Sequence, residues 1–360
     1  MIFVTKPFLP KLDIYQKYVA EIWAREYLTN NGVLVQELEA KLSEYLDTPK
    51  LLYTSNGTIS LQIALNALDL KGSEVITTPF SYVATTSSLV WENCKPVFAD
   101  ICPDTFNISP TEIRKKITSE TKAILATHVF GNPCDINEIE KIANEFNLHV
   151  IYDSAHAFGT EYNYQSIMKF GNVNSISFHA TKLFHTIEGG AITCDSETLF
   201  ESMKLKRNFG HSGFDVFDGV GINGKNSEFH AAMGLCNLPY VESILIDRKR
   251  IHEMYDRFLL DLPLKKQKIL KETTKYNHAY YPVVFESEEI LLNVKAHLEK
   301  NNIFPRRYFY PSLNKLNYID YTECMNSESI SSRIMCLPVF YNLEKTEIEL
   351  ICNHIRDCFN

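Results

Sequence analysis

The sequence has no run of apolar residues approaching the roughly 18 that a membrane-spanning helix needs. It has no C-x-x-C pair. Its nine cysteines, from Cys94 to Cys358, are scattered and odd in number. Such thiols read as reduced, as in a cytosolic protein, and no ligand spacing suggests zinc, so no metal is expected. No Gly-rich dinucleotide turn follows an early strand, and Ser55-Asn56-Gly57-Thr58 does not supply one, which argues against a Rossmann-type sugar-nucleotide oxidoreductase. Glycine and proline number 14 each, without a collagen-like period or a Pro-rich tract, and this excludes a fibrous or disordered chain. Positive charge is in deficit: 36 Lys and Arg face 44 Asp and Glu, a net charge of −8. That balance does not advertise a surface for nucleic acid or an anionic membrane, although a site for a small anion needs only local charge. Met1 to Pro7 lacks the basic region and apolar core of a signal peptide, so a cytoplasmic location is expected.

What is present is alternation. At 360 residues the chain exceeds one ordinary core and suits a large domain plus a small one. Leu34, Leu38, Leu42 and Leu46 recur every four residues and predict an amphipathic helix, and Ile59 to Leu70 predicts a buried one. Glu74–Thr78, Pro96–Ala99, Ala123–Ala126, Val150–Tyr152, Ser175–Phe178 and Ala191–Thr193 read as strands. Tyr82–Trp91 reads as a helix, and Ser109-Pro110-Thr111-Glu112 and the Asp135/Glu138 pair read as helix starts. Strands alternating with helices argue an α/β domain with a mixed, mostly parallel sheet. A long helix from Glu242 to Leu260 leads out into a smaller α+β domain, with strands near Tyr281–Phe285 and Met335–Val339 and helices over Glu288–Lys300 and from Glu344. The division is placed at residues 1–245 and 246–360.

Three short stretches carry possible chemistry. Ser55-Asn56-Gly57-Thr58 precedes a buried helix, where small residues and free N–H groups suit a phosphate, or simply cap a helix after a tight turn. Asp153-Ser154-Ala155-His156 ends a strand, at the edge where open α/β sheets bind ligands; Asp153 there can hold a proton on a basic ring nitrogen, or cap the next turn. Lys182 lies between two apolar strands, near Glu188-Gly189-Gly190. In a dry site such a lysine loses pKa and can form a Schiff base; on a surface it is only a charge. Together these are the parts that pyridoxal phosphate requires.

Their order resembles the DegT/StrS-type nucleotide-sugar aminotransferases, which use pyridoxal 5′-phosphate on fold-type I. The likeness also runs through Thr29-Asn30-Asn31-Gly32, Pro79 to Thr85, His128 to Gly131, Ser177 to Lys182, Gly221-Ile222-Asn223, Glu228 to Ala232 and Tyr308 to Pro311. The resemblance implies Lys182 as the lysine that holds the cofactor and shuttles protons. Asp153 would pair with the pyridine nitrogen, and Tyr82 would stack on the ring. His156 stands where many relatives have Gln, beside the ring hydroxyl. Gly57, Thr58 and Ser177 would bind the phosphate, and Asn223 would reach the partner's phosphate across a homodimer. His185, and Arg306 and Arg307 with Tyr308 and Tyr310, are candidate sugar-nucleotide contacts; for His185 packing, and for the arginines with the tyrosines a structural junction, remain open alternatives.

The stretch Ser177-Phe178-His179-Ala180-Thr181-Lys182 is similar to the branch acting on dTDP-linked 4-keto-6-deoxyhexoses with L-glutamate. The expected products are dTDP-4-amino-4,6-dideoxyglucose and 2-oxoglutarate, with a surface polysaccharide such as lipopolysaccharide O-antigen as destination. A 3-keto preference within the family is the alternative, and an inactive scaffold of the same fold is the rival from another class. Related 3-dehydratases carry His at the lysine position, so Lys182 argues for transamination.

Overall fold

The computed structural model describes residues 1–359. Its centre is a seven-stranded sheet built from β1 (Leu51–Thr54), β2 (Glu74–Thr77), β3 (Lys95–Phe98), β4 (Thr121–Thr127), β5 (His149–Asp153), β6 (Val173–Ser177) and β7 (Gly190–Thr193). The spatial order is β1-β7-β6-β5-β4-β2-β3. Only β7 runs against its neighbours; β2 pairs parallel with β3 and β4, β4 with β5, and β5 with β6. The expected mixed, mostly parallel sheet is therefore present. β1 escapes sequence reading because Leu51-Leu52-Tyr53-Thr54 is short, apolar throughout and without an alternating pattern.

Strand periodicity sends successive side chains to opposite faces, and two cores follow. Tyr53, Ile76, Ile124, Ala126, Val150 and Tyr152 face one core, with the helices Leu12–Arg25, Val33–Tyr45, Ile136–Phe146 and Glu228–Asn237 over it. Val75, Ala123, Leu125 and Ile151 face the other, beneath Gly57–Ala67 and Val83–Trp91. The result is three layers, helix on sheet on helix.

The helix Val241–Phe258 links this unit to a second one: Val241, Ile244 and Leu245 lie in the first core, Ile251 and Tyr255 in the next. We propose that the division between the units falls within this helix. The second unit packs the helices Glu288–Lys300 and Lys345–Asp357 on an antiparallel sheet of Lys265–Lys266, Tyr281–Val284 and Ile334–Leu337. Phe80, Phe106 and Phe130 from the first unit meet Tyr280 and Phe309 from the second in an aromatic cluster. The chain start joins in, because Ile2–Phe3 pairs parallel with Ile303–Phe304. Among the described residues no helix is long and apolar enough to cross a membrane.

One helix start depends on a carboxylate distant in sequence. The helix Val33–Tyr45 has Gly32 at its N-cap, which brings no capping side chain. Glu228, fully buried, accepts the N–H bonds of Leu34 and Val35, each at 3.0 Å. A charged acceptor at a helix N-terminus satisfies orphan donors and complements the helix dipole. A Cβ at 32 would sit 2.5 Å from Cδ of Glu228 and so would displace the capping carboxylate. Glu228→Ala leaves two buried N–H groups without partners and should cost about 2–4 kcal/mol in urea unfolding, with Glu228→Gln losing less. An unchanged unfolding midpoint in Glu228→Ala would remove Glu228 as the cap.

Candidate active site

A cavity of about 860 Å³ opens where β4, β5 and β6 end and where the chain leaves β1 and β2. Open α/β sheets bind ligands at that carboxyl edge, because the strands end there and the helix N-termini point into it. Gly57, Thr58, Tyr82, Asp153, His156, Ser177 and Lys182 all line it, and so do Arg306 and Tyr308.

Asp153, the last residue of β5, is buried. Burial pushes its carboxyl above the ordinary carboxylate range, while the Thr85 hydroxyl, the Ala155 N–H and the charge of Lys182 pull it back down. Thr85 Oγ1 donates to Oδ2 at 2.7 Å and the Ala155 N–H donates to Oδ1 at 3.1 Å. Thr85 has one hydroxyl proton and gives it to Asp153, so its 2.7 Å contact with Ser81 is one in which Ser81 donates. Thr127 in turn donates to Ser81 at 3.1 Å. Three hydroxyls thus point their protons towards one carboxylate. None of the three was legible as part of the site from local sequence, since Thr85 and Asp153 lie 68 residues apart.

Lys182 loses basicity through burial, against the opposing effect of the Asp153 carboxylate. Its Nζ donates to the Tyr280 hydroxyl at 3.4 Å. Tyr280 is buried, and burial pushes its phenol up, so it remains protonated. Its carbonyl neighbour is fixed by Arg248, whose Nη1 donates to the Ala279 oxygen at 2.9 Å. Tyr280 carries no motif of its own; it enters the cavity only because the second unit docks here.

His156 is also buried, and burial followed by the nearby Lys182 charge drives its pKa well below the ordinary value. The Phe130 N–H donates to its Nδ1 at 3.3 Å, which makes the ring neutral with its proton on Nε2. The ring lies parallel to Phe309, with centroids 5.5 Å apart.

The helix Gly57–Ala67 begins with Asn56, whose side chain accepts the Ile59 N–H at 2.9 Å. The N–H groups of Gly57 and Thr58 fall in the first turn, where helices offer no internal partner. Gly57 approaches β6 so closely that a Cβ would sit 3.0 Å from Cβ of Ser177. Ser177 and this helix start therefore form one cradle. Tyr82, the N-cap of Val83–Trp91, stands exposed at the cavity wall.

A second recess of about 680 Å³ adjoins the first and shares Tyr82, Arg306 and Tyr308 with it. Tyr310 lines this recess and not the main cavity. The two arginines differ. Arg307 is engaged, with Nη2 donating to Glu288 at 2.6 Å and to the Ser332 carbonyl at 2.8 Å, and it stacks on Tyr310 at 3.6 Å. Arg306 is exposed, lies 5.6 Å from the Tyr308 ring and has no carboxylate partner among the described residues.

Two expected residues lie elsewhere. His185, expected against the substrate, is instead 2% exposed and turned inward. Its Nε2 is 2.6 Å from the Phe8 carbonyl, and Asn237 donates to its own carbonyl at 2.9 Å. Sequence proximity to Lys182 was misleading because the chain reverses between them. Asn223 is exposed on a loop away from this chain's own cavity, bridged to Asn208.

The model of the DegT/DnrJ/EryC1/StrS aminotransferase family matches residues 13–356. A dTDP-4-amino-4,6-dideoxy-D-glucose transaminase of Shigella dysenteriae is 42% identical over 362 residues, covering 99% of this chain and 98% of the relative. One of Escherichia coli is 37% identical over 363 residues, covering 95% and 94%. The crystal structure of DesI in the presence of its TDP-sugar product superposes with a TM-score of 0.94 at 28% identity, over 99% of this chain and 92% of that one. The expected fold-type I architecture holds, and over nearly its whole length the chain belongs to the DegT/DnrJ/EryC1/StrS aminotransferase family.

Proposed function

We propose that the cavity holds pyridoxal 5′-phosphate and that the protein moves the amino group of L-glutamate to C4 of a dTDP-linked 4-keto-6-deoxyhexose, giving dTDP-4-amino-4,6-dideoxyglucose and 2-oxoglutarate. The observation that carries this is the buried pair of Lys182 and Asp153 in one cavity, in a chain 42% identical to a transaminase of that name.

The residues present fit the cofactor. Asp153, with hydroxyl protons aimed at it, suits a ring N–H carrying positive charge. The Gly57–Thr58 helix start with Ser177 suits a phosphate, and Gly57, without a Cβ, lets that helix start close on Ser177. Tyr82 suits a ring face, and neutral His156 offers its Nε2–H to a ring oxygen. When bound, the cofactor supplies an electron-accepting ring that carries the amino group from donor to acceptor.

The chain's own part is proton and charge management. Burial favours the unprotonated amine of Lys182, which can take up a proton at Nζ and return it. Tyr280 accepts a hydrogen bond from that nitrogen and fixes its direction. Arg306, without a carboxylate partner among the described residues and set at the shared wall of both recesses, suits the diphosphate of the nucleotide, with Tyr308 and Tyr310 beside it.

Asn223 is proposed to act in a second copy's site within a homodimer. Its loop exposes Phe209, Phe214, Phe217, Val220 and Ile222, an apolar surface that a second copy would cover.

Purified enzyme with pyridoxal phosphate and glutamate should aminate dTDP-4-dehydro-6-deoxyglucose, as read by mass and NMR, and Lys182→Ala should form no product. Turnover of the 3-keto isomer alone would overturn the C4 assignment and leave the family intact. Thr85→Val should weaken cofactor binding about tenfold in equilibrium dialysis while the protein stays folded, through loss of one charge-assisted bond to Asp153. Wild-type affinity would show that the hydroxyl series does not support the cofactor. Lys182→Ala and Asn223→Ala chains, each of low activity alone, should regain activity when unfolded and refolded together, because one mixed site then has both residues. No gain on mixing would place Asn223 outside the partner's site.

A further inference from the structure

Outside the cavity, one cluster of potential ligands has no role in the proposed reaction. His297 lies in the last turn of the helix Glu288–Lys300, and His354 and Asp357 lie in the last turn of Lys345–Asp357. One ligand atom from each of the three falls within 4.8 Å of the others. The histidines are 57 residues apart in sequence, which is why no spacing announced them.

Several features favour a cation there. His297 Nε2 and His354 Nδ1 are 3.2 Å apart. Two nitrogens bound tetrahedrally to zinc at about 2.0–2.1 Å stand about 3.3–3.4 Å from each other, so the rings are already near ligand spacing. His354 and Asp357 are three apart on one helix and so share a face. Both helices end at the cluster, and their C-terminal carbonyls give it partial negative charge. Of the cations near it in sequence, Lys295 pairs with Glu299 at 2.6 Å and Arg356 Nη2 donates to Asp261 at 2.9 Å, while Lys300, in the last turn with His297, is exposed. The histidines are half-buried and Asp357 is exposed, which leaves a side open for solvent to complete the coordination.

We propose that His297, His354 and Asp357 bind a divalent transition ion of the zinc type, two nitrogens and one oxygen from the protein with water filling the rest. Such an ion would tie the helix Lys345–Asp357 to Glu288–Lys300. The site is distinct from the cavity and independent of the reaction assigned to it.

The test is a zinc chloride titration of the purified full chain, stripped with a chelator and dialysed, followed by calorimetry and by thermal unfolding. One zinc per chain is expected, with a rise in the unfolding temperature. His297→Gln and His354→Gln should each weaken the binding about tenfold or more and abolish the rise, and Asp357→Asn should weaken it less. Neither histidine is in the core, so both variants should fold. No uptake by the wild-type chain would overturn the site. So would unchanged binding in either histidine variant, which would leave the 3.2 Å contact as a hydrogen bond between two rings.

Discussion

Burial pushes Asp153 towards its neutral form, and the arrangement around it resists that shift. A carboxylate taken out of water needs donors, and here they come from three different segments: Thr85 at the start of one helix, Ala155 just past β5, and, through Ser81, Thr127 at the end of β4. The same burial lowers the basicity of Lys182, so the two groups are pushed towards neutrality from opposite sides while each opposes the other's loss of charge. That balance needs the sheet edge to be rigid. It is rigid because β4, β5 and β6 are flanked on both faces by close-packed layers, and Gly57 lets the helix above approach β6 to contact distance.

Much of the sheet was legible in the sequence, because the predicted strands are short apolar runs, and the helix starts at Ser109 and Asp135 carry their own caps. Asp135 and Ser109 accept the N–H of the third residue after them, as the pattern required. What sequence could not show is what depends on distant pairing. Glu228 caps a helix nearly two hundred positions earlier, and no local pattern marks a glutamate as the cap of another segment. Tyr280 lies just ahead of the predicted strand at Tyr281–Phe285 and carried no signal of its own; its hydroxyl reaches Lys182 through the docking of one unit on the other. His185 shows the reverse error: it is near the lysine along the chain, yet its ring is spent on the Phe8 carbonyl. The family resemblance supplied roles for residues in the cavity but could not tell Arg306 from Arg307, which the ion pair with Glu288 separates.

Both units contribute to the cavity wall. The first unit offers a carboxylate, an amine and a phosphate-sized cradle; the second offers Tyr280, Arg306, Tyr308 and Phe309. The Lys182 amine and the Tyr280 hydroxyl it meets thus sit on different pieces of chain. They are held together by an aromatic cluster, whose cohesion is insensitive to the charge changes that catalysis demands.

The pairing of Ile2–Phe3 with Ile303–Phe304 also has a bearing on biogenesis. Phe3, Val4 and Thr5 form part of the cavity wall, yet the strand that holds them is made three hundred residues later. During synthesis the first residues must wait, unpaired, until that strand leaves the ribosome, because non-local pairs close last. A nascent chain can therefore build its sheet while the pocket still lacks one wall, and that wall closes only once Ile303–Phe304 has been made.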